Sequence, residues 1–303
     1  MNWLLIAIIA HFLFALVFIT DKFLLSKTVL KPIGYAFYTG LLQIFVLVLI
    51  PFGFVVPSSV QIVVSFVTGA SFTLAVLFLY KAIQMGRVSK IIPVIGGAVP
   101  IFTLILTYLF LEERLALSQL IAFLLLVIGG VIMLWPKKYR PGLEISKVPL
   151  TKRLTVAIPA AFLMASSFVL TKFIFTYQPF ISGFIWIRIG GFLMAILLFL
   201  WPRNRQIILE TAKTIKIKTV GLFFSNKGLA ALAFILLNYA IYLGSVTLVN
   251  ALQGVQYVFL LVLAIILSIK FPQILREQIS REVIIQKIIA ILFISFGLCI
   301  LAF

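Results

Sequence analysis

Along this chain the polar residues gather in short clusters, and between them apolar runs recur from one end to the other. Each run is long enough to cross about 30 Å of hydrocarbon as a helix. The pattern predicts ten spans, at 3–20, 33–53, 61–80, 91–111, 117–135, 155–175, 181–201, 220–243, 248–269 and 284–302. Backbone groups in lipid must find partners within their own segment, so stretches this long and apolar are helices, whereas a barrel would show short alternating strands. The expected fold class is all-α, polytopic. The first run, WLLIAIIAHFLFALVFIT, has no basic residue before it and no small-residue cleavage site after it, so it is expected to stay as the first span.

Composition strengthens this reading: 64% of the residues are hydrophobic and 11% charged, far from the balance of a water-soluble domain. A net charge of +18 would suggest nucleic acid in a soluble protein, but here the charges follow the membrane. Most Lys and Arg fall in the connections after spans 1, 3, 5, 7 and 9, for example Lys137, Lys138, Arg140, Lys152 and Arg153. By the positive-inside rule these connections are cytoplasmic and both termini lie outside. No nucleic-acid partner is expected; the lipid bilayer is. There is no G-x-x-x-x-G-K-[ST] loop to drive transport with ATP. The lone Cys299 can form no internal disulfide, no Cys/His cluster is present, and no cofactor is expected.

The chain also repeats itself. AIQMGRVSKIIPVIGGAVP at 82–100 is echoed by AIYLGSVTLVNALQGVQYV at 240–258, ALVFITDKFLL at 15–25 by ASSFVLTKFIF at 165–175, and SQLIAFLLLVIGG at 118–130 by IQKIIAILFISFG at 285–297. These echoes keep their order, with a register near 150 early and near 158 in the middle. They divide the chain into five-span units at 1–136 and 154–303, joined by a basic linker at 137–153. Because five is odd, the second unit enters the membrane inverted, as in many secondary transporters.

These residues resemble the EamA family of the drug/metabolite transporter superfamily. The likeness rests on A-I-x-x-G-x-V-S, the proline-bearing run PVIGGAVPIFTLILTYLFLEERLALSQ with its LEERL turn at 111–115, and a span ending in VIGGVIM. It implies a multi-pass transporter of the cell membrane, not an enzyme, that moves a small-molecule substrate as a monomer or homodimer. Two departures stand out: the uncharged PFGFVVPSS at 51–59, where the family usually carries basic residues, and a second unit without the ERL turn.

Candidate site residues follow from polar groups inside the spans. Arg188, in FIWIRIGGF, must face a cavity or a partner, because an unpaired guanidinium at mid-span costs at least about 2.5 kcal/mol. Its counterpart in the first unit is Tyr38. The guanidinium suits a carboxylate or phosphate, and snorkelling or a structural bond to a helix end is the alternative. Asn250, Gln253, Gly254 and Tyr257 fall at i, i+3, i+4 and i+7 on span 9, making one polar stripe that could line a cavity or tie helices together. Asn238, with Tyr239 and Tyr242 beside it, adds polar groups on span 8. Pro93 and Pro100 flank Gly96 and Gly97 on span 4; with Gly254 they are the expected gating positions, or else they only shape packing. The small multidrug exporters that resemble one repeat carry a glutamate in the first span. Here apolar residues stand in its place, with His11 nearby as a possible proton carrier or a plain hydrogen-bonding group. The expected function is secondary export of a small polar metabolite, such as an amino acid, by alternating access, with a sugar, nucleotide sugar or lipid-linked intermediate as the alternative cargo.

Overall fold

The computed structural model describes residues 2–27, 31–85, 88–135, 149–214, 217–270 and 281–302, and the described residues are helical almost throughout, with no strand. In chain order the helices are α1 (Asn2–Lys27), α2 (Pro32–Leu41), which continues as tighter 3₁₀ turns over Leu42–Phe52, α3 (Ser59–Met85), α4 (Val88–Phe110), α5 (Leu117–Leu134) and α6 (Leu150–Tyr177). They are followed by α7 (Phe180–Leu200), α8 (Pro202–Thr214), α9 (Ile217–Leu243), α10 (Val246–Ala251), α11 (Gln253–Lys270) and α12 (Arg281–Ala302). Among the described residues nine segments are long and apolar enough to cross a membrane. The shorter apolar stretch Val94–Phe110 lies where the fourth span is expected. The basic linker at 137–153 lies largely outside the described residues.

Three local features differ from the hydropathy pattern. The second span is not one α-helix: it tightens after Leu41 into an 11-residue 3₁₀ segment containing Pro51, longer than such turns usually run. The ninth span breaks at Leu252, between α10 and α11, so the expected continuous stripe from Asn250 to Tyr257 is split. And the connection after α7 holds a helix of its own, α8, whose buried Ile208 packs with Ile33, Phe37 and Ala195 while Arg203, Arg205, Gln206 and Glu210 stay outward. By contrast α4 runs unbroken through Pro93 and Pro100, so the one interruption in this pair of equivalent spans falls in the second unit.

Packing crosses between the two proposed units. α1 lies along α9, α6 along α3, and α5 along α12. Small residues permit the close approach: Ala7, Ala10 and Ala15 on α1 and Ala160, Ala161 and Ala165 on α6 are all fully buried. α3 and α7 come closer still, because a Cβ at Gly69 would collide with the Ile187 carbonyl and one at Gly190 with the backbone of Phe66. Large apolar side chains such as Leu197, Val262, Ile288 and Phe296 face outward, as a lipid-facing surface requires.

Candidate functional site

Arg188 sits on α7 with only 7% of its surface exposed. Three rings from three helices surround its guanidinium carbon: Phe234 of α9 at 4.4 Å, Phe72 of α3 at 5.1 Å and Phe184 of α7 at 5.3 Å. Aromatic faces attract a cation but neither accept its N–H bonds nor neutralise it. Its Nε is buried without a hydrogen-bond partner, and among the described residues no carboxylate pairs with it. The cage thus holds a desolvated positive charge with donor capacity to spare, the arrangement a carboxylate or phosphate would complete.

α9 contributes Phe234 to this cage. Phe223, Lys227, Phe234, Asn238 and Tyr242 recur at helical spacing along one face of this helix. Asn238, one turn beyond Phe234, donates Nδ2 to the Phe234 carbonyl at 2.8 Å, and its buried Oδ1 has no partner. Farther along, Tyr239 and Tyr242 meet Phe180, at 5.1 and 5.8 Å between ring centres, and Phe180 stacks on Phe184 at 5.7 Å. These rings cover the cage toward the α9 C-terminus.

Toward the other end of α9 lies a polar cluster that the sequence reading missed as a unit. Lys227 Nζ lies 3.2 and 3.3 Å from the two carboxylate oxygens of Asp21 on α1. Asn226 Nδ2 donates to Asp21 Oδ1 at 2.7 Å, the Tyr35 hydroxyl of α2 donates to the same oxygen, and Lys227 Nζ is 2.6 Å from that hydroxyl. Tyr80 of α3 lies against Tyr35, ring centres 4.5 Å apart. Lys227 is also held over the rings of Tyr35 and Phe223, at 4.5 and 5.5 Å. The signal was present, since a lysine ten residues into a helix of a membrane bundle demands a counter-charge, but its partner is 206 residues away in sequence.

The remaining candidates lie elsewhere. Tyr38, the counterpart of Arg188 in the first unit, donates its hydroxyl to the Ile208 carbonyl of α8 at 3.3 Å. Asn250 bonds the Val246 carbonyl of its own helix at 2.9 Å. Gln253 adjoins the buried Tyr257, whose hydroxyl fills the space a Cβ on Gly96 would need. Gly254 packs on α5, against the Leu126 carbonyl. Of the split stripe, Gly254 and Tyr257 therefore face α5 and α4, while the Asn250 side chain bonds within its own helix. Pro100 is buried in α4; the side chain of Pro93 lies outside the described residues. His11 binds α1 to both halves of the broken span, with Nε2 donating to the Val249 carbonyl at 3.1 Å and Nδ1 3.4 Å from the Gln256 side chain. Lys172 is likewise absorbed: its Nζ donates to the carbonyls of Ile241, Tyr242 and Gly244 at 2.9, 3.3 and 2.7 Å, capping α9. Among the described residues no group of His, Cys, Asp and Glu could hold a metal ion.

Comparison with known proteins supplies the context. Residues 1–135 match the EamA-like transporter family. No curated protein matches the sequence. One solved structure, described only as a crystal structure of a protein, superposes with a TM-score of 0.65 at 15% identity, covering 99% of this chain and 96% of the other. That likeness is one of fold and extends over both halves. Residues 1–135 thus match the EamA-like transporter family, which lies within the drug/metabolite transporter superfamily, and the chain is a multi-pass membrane protein.

Proposed function

We propose that the chain is a secondary transporter that exports a small organic solute bearing an anionic group, such as an amino acid or related carboxylate, across the cell membrane. Arg188 carries this reading: it is a buried guanidinium caged by Phe72, Phe184 and Phe234, with no acid beside it among the described residues. Keeping such a charge uncompensated is costly, and a solute that supplies the missing negative charge recovers part of that cost. Asn238, with a free buried oxygen one turn away, offers an acceptor for an ammonium or hydroxyl group of the same solute.

The transport cycle in this proposal is alternating access between two inverted five-helix units, 1–136 and 154–303, with ten spans and both termini outside. The crosswise packing of α1 on α9 and α6 on α3 supports the pairing of the units. The basic connections support the orientation. A phosphate would satisfy the guanidinium as well as a carboxylate does, so a sugar phosphate, nucleotide sugar or lipid-linked phosphate is the second reading.

The test is uptake and efflux in proteoliposomes against carboxylates, amino acids, sugar phosphates and nucleotide sugars, with and without a pH gradient. Transport of the true substrate should fall roughly 10- to 100-fold in Arg188→Ala, the worth of a charged hydrogen bond, and recover in part in Arg188→Lys. Unchanged transport in Arg188→Ala removes the assignment.

A further inference from the structure

Two cations lie against α9: the buried Arg188 of α7 and the partly buried Lys227 of α9 itself. Arg188 and Lys227 are both held against aromatic rings, Arg188 by Phe72, Phe184 and Phe234 and Lys227 by Tyr35 and Phe223. Lys227 has a resident counter-ion, Asp21, whereas Arg188 has none among the described residues. Lys227 and Phe234 share one face of α9, seven residues and roughly 10 Å apart along the axis. Lys227 is thus the cation on the α9 N-terminal side of the cage.

We propose that Lys227 is a second anion contact on the transport path, masked by Asp21, and that exchange of Asp21 for the solute's carboxylate or phosphate on Lys227 opens this end of the bundle. This rests on reading Arg188 as the solute's anchor. The groups around the pair come from every helix packed there: Asp21 from α1, Tyr35 from α2, Tyr80 from α3, and Asn226 and Lys227 from α9. Together they join α1 and α2 of one unit to α9 of the other, so their separation is a separation of the units. Opening the pair with nothing to replace Asp21 would strand two partly buried charges, which is strongly unfavourable. Replacing one carboxylate by another on the same ammonium keeps the attraction and lowers that barrier. The latch would then yield when an anion is present and stay shut when none is, which suppresses leakage.

The pair can be tested with simple anions standing in for the natural solute. A reporter cysteine at Asn238, one turn beyond the cage, is introduced in a Cys299→Ala background. Its labelling by a membrane-impermeant maleimide is then timed in sealed vesicles, with the reagent added on the face that bears the basic connections. Labelling should be slow in the parent and roughly tenfold or more faster in Asp21→Asn, as expected when a closed population loses its latch. The charge swap Asp21→Lys with Lys227→Asp should restore slow labelling. Tyr35→Phe, which removes one hydroxyl and leaves both charges, should give a smaller acceleration and serves if the swap does not fold. Benzoate or inorganic phosphate should accelerate labelling of the parent but not of Asp21→Asn. Equal rates in the parent and Asp21→Asn, or a parent indifferent to both anions, overturn the proposal. Transport that survives Arg188→Ala overturns instead the anchor reading on which it rests, and the two failures are read in separate experiments.

Discussion

The contacts of α1 with α9 and of α6 with α3 join corresponding pairs of helices in the two proposed units, yet they are built from opposite chemistry. By the sequence register, Asp21, Asn226 and Lys227 of the first contact correspond to Thr171, Thr68 and Gly69 of the second. At the second contact Ser167 Oγ donates to the Thr68 carbonyl at 3.0 Å and Thr171 bonds back to its own helix, while the adjoining Gly69 lets the same stretch of α3 sink onto the backbone of α7. At the first contact an ammonium, a carboxylate, an amide and a phenol fill the same position. A glycine seal holds by close contact over many atoms and admits no intruder. A charge cluster holds by a few strong bonds that another ion can replace. One architecture thus provides a firm seal at one end of the bundle and an exchangeable one at the other.

The largest test of this difference is Lys227→Met. It leaves Asp21 partly buried without its counter-ion, and breaking a buried pair from one side costs about 3–5 kcal/mol. The folded yield and thermal midpoint in detergent should both fall sharply. The double variant Asp21→Asn with Lys227→Met removes both charges and should recover most of that loss. If the single and double variants are equally unstable, the cluster is held by something other than its charges.

At the glycine contact the expected effect is somewhat smaller. A Cβ at Gly69 would collide with the Ile187 carbonyl and press on Gly191 N, both backbone atoms that cannot swing aside. Gly69→Val should therefore push α3 away from α7 and cost about 1–3 kcal/mol, the usual range for overpacking, read as a lower thermal midpoint. Gly228, next to Lys227 on α9, has open space where a Cβ would go. Gly228→Ala should leave the midpoint unchanged or slightly raised, because alanine is the better helix former. A similar loss at both glycines would erase the distinction between a packed and an open contact.

How much of the molecule is legible in its sequence depends on the range of each interaction. The apolar runs report burial in lipid residue by residue, so nine of the expected spans, from Asn2–Asp21 to Ile284–Ala302, agree with the hydropathy pattern to within a few residues, and the fourth is met by the shorter Val94–Phe110. Arg188 is legible as a charge in need of a partner, but not its cage, because Phe72, Phe184 and Phe234 are three among many phenylalanines and only tertiary structure selects them. Asn226 and Lys227 are visible at the start of their span and Asp21 at the end of another, yet nothing local joins them. The amides of span 9 are a related case. Helical spacing places Asn250 and Tyr257 on one face, but the break at Leu252 and the glycine contacts of α4 and α5 turn that face toward neighbouring helices.

The smallest expected effect concerns the residue beside the neutral counterpart of Asp21. Lys172 follows Thr171 as Lys22 follows Asp21, and the repeated Lys-Phe pair is among the clearest echoes in the chain. Lys172 meets no acid within salt-bridge distance among the described residues, but the carbonyls at the end of α9 receive its ammonium hydrogens, where the helix dipole also favours positive charge. Lys172→Met should therefore cost about 1 kcal/mol, read as a modest drop in thermal midpoint, with Lys172→Arg recovering part of it. Its consequence should be confined to the corner at Gly244: the rate at which a maleimide reaches a cysteine at Asn238 from the basic face should not change, since the Asp21 latch lies at the opposite end of α9. If that rate rises as it does in Asp21→Asn, the two ends of α9 move together and the firm and exchangeable seals are one mechanism.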